Sequence, residues 1–169
     1  MLYDDVLGEL ISNKQRRVAG DVIAIPWSLP RLSSVLPGIE QSRYNLISAS
    51  PKAGKSQLTD FLYVYQPIEW ILKHPESKIT LKIFYFSLEV SKSTKIKAAI
   101  CYKLYSDYGI LIGPQKLSSI FSGYIMDDRI ESIINGKEFI DWFSKFESIV
   151  SFYDTIRSPG SIFHLIKSF

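Results

Sequence analysis

The sequence predicts an α/β fold in which a parallel sheet is flanked by helices. Three observations point there. Short apolar strand candidates alternate with longer helical patterns along the chain. Residues 78–88 crowd Ile79, Leu81, Ile83, Phe84, Tyr85, Phe86 and Leu88 together, too apolar for a sheet with one wet face. A loop of small and basic residues, 50–56, sits between a strand candidate and a helix candidate, as a βα turn does.

In chain order, residues 1–17 read as an amphipathic helix, with Leu2, Val6, Leu10 and Ile11 near helical spacing and a polar end at residues 13–17. Packing on the core is the plain reading of that stripe; an arm that docks on a neighbouring subunit is the sharper one. Residues 18–43 are broken by Gly20, Pro26, Pro30, Pro37 and Gly38, and read as turns, a short edge strand at Val22-Ile23-Ala24-Ile25 and a short helix. Residues 44–49 form a compact, mostly apolar strand candidate. A helix is expected over 56–66, with Leu58, Leu62 and Tyr65 on one side, ended or kinked by Pro67 and followed by a second piece at 68–73. Beyond the strand at 78–88, helices are expected at 92–107 and within 128–147. A strand then follows at 149–154, and a last helix at 161–168 after Pro159-Gly160. The division is an N-terminal helix or arm over 1–19 and a core over 20–169.

Composition narrows the function. Hydrophobic residues make up 46% of the 169, enough for one buried core and too many for a disordered tail. The net charge of +3 is mild for a dedicated nucleic-acid binder, so contact with nucleic acid is expected to be shared among subunits or with another segment. Cys101 is the single cysteine, which excludes an internal disulfide and suits a reducing cytoplasm. His74 and His164 are far apart in sequence, and no metal-ligand cluster is visible. The acidic start at Asp4-Asp5 is unlike a signal peptide, and no apolar run approaches the roughly 20 residues of a membrane span.

The chemistry is carried by Ala49-Ser50-Pro51-Lys52-Ala53-Gly54-Lys55-Ser56-Gln57. It satisfies the phosphate-loop (Walker A) pattern G-x-x-x-x-G-K-[ST] at all but its first glycine, where Ala49 stands. Such a loop wraps phosphate with consecutive backbone N–H groups. Gly54 permits the close approach, Lys55 sets a point charge against the terminal phosphates, and the Ser56 hydroxyl can bind Mg²⁺. A helix beginning at Ser56 adds the partial positive charge of its N-terminus. Residues 50–57 are therefore the nucleotide-binding candidates. Ala49 is tolerable there if its φ is negative.

A second constellation is Phe84-Tyr85-Phe86-Ser87-Leu88-Glu89-Val90-Ser91. An apolar strand ends in a carboxylate, on the sheet edge where ligands of open parallel sheets bind. Glu89 can there activate a water for attack on a γ-phosphate, or can be an acid that caps the following helix. The residues alone leave both open.

Tyr85-Phe86-Ser87-Leu88-Glu89-Val90-Ser91 resembles the FFSLEMS segment that follows the Walker A loop by one strand in DnaB-like replicative DNA helicases. Residues 25–30 and 36–39 resemble that family's approach to its Walker strand, and phage versions of the family are similar in style. The resemblance covers roughly residues 20–169. It implies a RecA-like ATPase core that takes ATP and Mg²⁺, assembles as a homo-oligomeric ring (a hexamer) and moves on single-stranded DNA in the cytoplasm. It also implies that Lys55 and Ser56 hold phosphate and Mg²⁺ and that Glu89 is the catalytic base. Asp154 fits a generic Walker B pattern. However, Thr155-Ile156-Arg157-Ser158-Pro159-Gly160-Ser161-Ile162 resembles the family segment that precedes Walker B, so the Mg²⁺-binding aspartate and the arginine finger are expected after Phe169. Two other functions fit the same residues: a nucleotide-binding or interaction module without turnover, and another RecA-like ATPase such as a recombinase. The Ser87-Leu88-Glu89 segment argues against the recombinase.

Overall fold

In the computed structural model, which describes residues 2–19, 24–41, 43–77, 79–120 and 123–168, the chain is mixed α/β and mostly helical. It divides into two compact units, residues 1–81 and 82–169. Among the described residues no helix is long and apolar enough to cross a membrane.

The first unit opens with α1 (Leu2–Val18), with acids in its first turn, bases in its last and no buried residue. The expectation that this helix packs its stripe on the core is therefore not met. The short strand β1 (Ala24–Ile25) pairs antiparallel with β2 (Ile39–Glu40), Ile25 opposite Ile39. Val22 and Ile23, expected to begin that strand, lie outside the described residues. Gly38 makes the pairing possible. Its φ is +141°, and a Cβ there would sit 2.1 Å from the Ile25 carbonyl oxygen, so no side chain fits. Between the strands, α2 (Pro30–Ser33) begins on a proline at the position where a missing N–H costs least.

After the loop at residues 50–54 the chain runs without a break through α3 (Lys55–Asp60), a π-helical turn (Phe61–Tyr65) and α4 (Gln66–Lys73). Pro67 was expected to end or kink this helix, and the helix does not end there. The reason lies in the turn before it. Gln66 donates its N–H to the Phe61 carbonyl, five residues back. This wider spacing makes room for a ring that would otherwise press on the carbonyl four residues back. Leu62, Val64, Pro67 and Ile68 are buried along the rod. Trp27, itself buried, meets Tyr63 edge-on at 5.3 Å, and the Gln66 side-chain amide donates to the Pro26 carbonyl at 2.8 Å.

The second unit is built on two parallel strands, β3 (Ile83–Phe86) and β4 (Val150–Tyr153), paired from Ile83↔Val150 to Phe86↔Tyr153. Parallel neighbours need a long crossover. Here it is α5 (Lys92–Tyr108), α6 (Pro114–Leu117), α7 (Asp128–Ile134) and α8 (Lys137–Ile149). The strand expected over 78–88 is cut to four residues because its partner supplies only four: Val150 follows α8 directly. The four residues of β3 are half-buried rather than enclosed on both faces. Aromatic residues pair across the ladder, Tyr85 with Phe152 and Phe86 with Tyr153, at 5.3 and 5.2 Å. Phe139, Trp142 and Phe146 bury one face of α8, and Phe146 stacks on Phe152 at 6.2 Å. Helix α9 (Pro159–Lys167) starts on the Ser158 hydroxyl, which accepts from the Ser161 N–H.

Cys101 lies inside α5, and burial pushes its thiol up to about 11. The folded chain rejects the thiolate, so the unfolded chain loses this proton first. The sign follows: stability contributed by the neutral thiol is complete below pH 9.0 and is lost as pH rises toward about 11. The expected result is that iodoacetamide labels Cys101 slowly at neutral pH in the folded chain and fast in denaturant. Equal labelling rates, read by mass spectrometry, would contradict the buried position.

Candidate functional site

The loop begins with a β-turn. The Ala53 N–H reaches the Ser50 carbonyl at 3.2 Å, Pro51 holds the second position, and Lys52 takes the third with φ +63°. A positive φ at that place after proline is the sign of a type II turn, which ordinarily asks for glycine or asparagine. Lys52 adopts it at a cost on the order of 1 kcal/mol. Backbone strain of this kind is commonly held at ligand-binding turns. Ala49 is spared: positive φ among the described non-glycine residues falls on Lys52 and Ser119, so the alanine in the first motif position needs no glycine.

Gly54 then takes φ +83° and becomes the N-cap of α3. A Cβ there would meet Gln57 Oε1 at 3.6 Å, an ordinary contact, so glycine is needed for the dihedral and not for space. Having no side chain, Gly54 caps nothing. The first helical hydrogen bond runs from the Leu58 N–H to the Gly54 carbonyl at 2.9 Å. The N–H groups of Lys55, Ser56 and Gln57 thus stand at the helix start without an intrahelical acceptor. The Lys55 and Ser56 side chains are exposed. The Thr59 hydroxyl donates to the Lys55 carbonyl at 2.9 Å, and Asp60 is buried just beyond.

One expected support is absent. Residues 44–49 form no strand; the segment is irregular, and Tyr44 and Leu46 are 88% and 77% exposed. Apolar and β-prone residues make a strand only where a partner edge accepts their hydrogen bonds. The described partners of β3 and β4 are each other.

In the second unit, Glu89 lies in the turn that leaves β3 for α5. Ser87 shapes that turn. It is buried, its N–H extends the ladder to the Tyr153 carbonyl at 2.8 Å, and its hydroxyl bonds both the carbonyl and the N–H of Val90. The start of α5 is capped twice, and Glu89 supplies neither cap. Ser91 Oγ accepts from the Thr94 N–H at 3.3 Å, and Asp154 Oδ2 accepts from the Lys92 N–H at 2.7 Å. Glu89 is left exposed. The capping hydrogen bonds of α5 are thus made by Ser91 and Asp154, and Glu89 makes none of them. The two acids follow adjacent parallel strands and share one sheet edge.

The loop at residues 50–57, the candidate for phosphate, belongs to the first unit and Glu89 to the second. Sequence reasoning placed Lys52 and Ser87 within its two motifs and missed what each does. Lys52 carries the strained dihedral. Ser87 holds the turn under Glu89, and the Ser-x-x placement after a strand was the available signal. Lys95, which the sequence did not single out, is buried with Nζ 4.8 Å from the centre of the Tyr85 ring. No group of three or more His, Cys, Asp or Glu suited to a metal occurs among the described residues. Compared with known proteins, the chain matches no family model, no curated sequence and no solved structure.

Proposed function

We propose that the chain is the nucleotide-binding part of the ATPase motor of a DnaB-like replicative DNA helicase. In this reading it has a RecA-like core, binds ATP with Mg²⁺, and works in the cytoplasm as a homo-oligomeric ring, a hexamer, on single-stranded DNA. The observation that carries the reading is the loop itself. A strained turn at Lys52, a left-handed Gly54 and an uncapped helix start together present the Lys55, Ser56 and Gln57 N–H groups outward. Such a start attracts phosphate through its N–H groups and its dipole. Lys55 adds a charge for the terminal phosphates, and Ser56 an oxygen for Mg²⁺. Glu89, exposed and not spent on capping, is free for a water.

One observation favours a second reading. The irregular course of residues 44–49 leaves the loop without its strand, which suits a nucleotide-binding or interaction module that binds ATP and does not turn it over.

Both readings require the loop to bind nucleotide. Lys55→Ala is expected to weaken ATP binding roughly 10–150-fold, the loss of about 1.5–3 kcal/mol from a charged hydrogen bond. Calorimetric titration of ATP and Mg²⁺ into the chain and the variant measures it. Lys73→Ala, at the far end of α4, serves as the unaffected control. Equal affinity in Lys55→Ala and the parent sinks both readings. Hydrolysis by the assembled protein, with and without single-stranded DNA, separates them.

A further inference from the structure

Helix α1 carries a surface that the fold does not use. Leu2, Tyr3, Val6, Leu7, Leu10 and Ile11 recur at the spacing of one helical face, all are exposed, and the helix buries no residue. Its charges are split end to end. Residues 2–9 carry Asp4, Asp5 and Glu9, and residues 11–18 carry Lys14, Arg16 and Arg17.

We propose that this face binds the same face of a second copy of the chain, as an antiparallel helix pair about a twofold axis at Leu10. The charge split selects the partner and the direction. Antiparallel overlay lays the acidic half of each helix on the basic half of the other, twice; parallel overlay lays like on like. The helix dipoles favour the same arrangement. With Leu10 facing Leu10, Leu2 faces Val18, Val6 faces the aliphatic stem of Lys14, and the Tyr3 ring faces Arg17. A patch that pairs with itself across a twofold axis joins two copies and leaves other surfaces free for a ring contact. The proposal is independent of nucleotide binding.

Cysteine scanning in the full chain tests it, since Cys101 is buried and its thiol stays protonated. Helix axes about 8–10 Å apart bring facing positions to disulfide range, Cα atoms about 4.4–6.8 Å apart. Leu10→Cys is therefore expected to form a covalent dimer under mild oxidation. Leu2→Cys is expected not to, because the two copies of that position lie roughly 24 Å apart along the pair. Two charge variants, Lys14→Glu with Arg17→Glu and Asp5→Lys with Glu9→Lys, should each dimerise at least about tenfold more weakly by light scattering. Mixing the two should restore dimers. None of these changes touches a buried residue, so the fold is kept. A Leu2→Cys crosslink as strong as that of Leu10→Cys overturns the antiparallel pair. So do charge variants that dimerise like the parent, or a parent that stays monomeric at every concentration.

Discussion

Glu89→Gln is expected to lower ATP turnover by about 10²–10⁴-fold, the usual contribution of a general base, while leaving ATP affinity within about twofold. The amide preserves the size and the exposed position of the side chain and removes its ability to take a proton. The expectation depends on Glu89 being a base and not a cap. The structure bears on the second half of that choice: Ser91 and Asp154 hold the start of α5, so the substitution removes no helix-capping bond. Steady-state phosphate release by the assembled protein, beside equilibrium ATP binding, measures both quantities. Turnover at the parent rate would take Glu89 out of the chemistry. A matched loss of binding and turnover would instead mean that the turn at Ser87 had been disturbed.

The second large effect concerns stability. Phe146→Ala is expected to destabilise the second unit by about 3–5 kcal/mol, the cost of emptying an aromatic site in a packed core. Phe146 is 1% exposed and stacks within 5.3 to 6.2 Å of Trp142, Phe143 and Phe152, so neighbouring rings cannot all close the gap at once. Hydrogen exchange of the β3 and β4 amides reads the change locally. Their protection should fall by more than about a hundredfold. Ile140→Ala, on the exposed side of the same helix, should stay within about 0.5 kcal/mol of the parent. Comparable losses from both substitutions would contradict the described face of α8.

Where the sequence was legible, local rules and packing agreed. Helix α5 could be read because Ser91 and Gly109 mark its two ends, the glycine in a left-handed C-terminal position with φ +66°. Helix α8 could be read from Phe139, Trp142 and Phe146 on one face, and β4 from its short apolar run. The turn into α3 could be read from residue types, because Gly54 is needed for a dihedral that almost only glycine adopts without strain. The misses share a cause. Residues 44–49 have the composition of a strand, but a strand is a pairing, and the partner edge is not written in the segment. Residues 79–82 lost their strand for the same reason, once the partner was limited to four residues. The helix passes through Pro67 because the rule that proline ends a helix assumes an α-helical turn beneath it, and the turn there is π-helical. Lys95 and the structural role of Ser87 went unread because a buried polar group declares itself only through its neighbours.

That π-helical turn also sets an angle. Each helical residue advances the chain by about 100° and 1.5 Å, and a π turn holds about one residue more than an α turn. The five residues Phe61–Tyr65 therefore complete about the rotation that four would in an α-helix, and they keep the loop at one end of the rod in phase with the buried Pro67 and Ile68 beyond it. Deleting one residue inside the turn would restore α-helical pairing and leave the direction of Lys55 and Ser56 nearly unchanged, whereas deleting one from α3 would swing the loop by about 100° around the rod and draw it in by about 1.5 Å. The extra residue is in this sense a slack link, taken up beneath a proline without turning the loop.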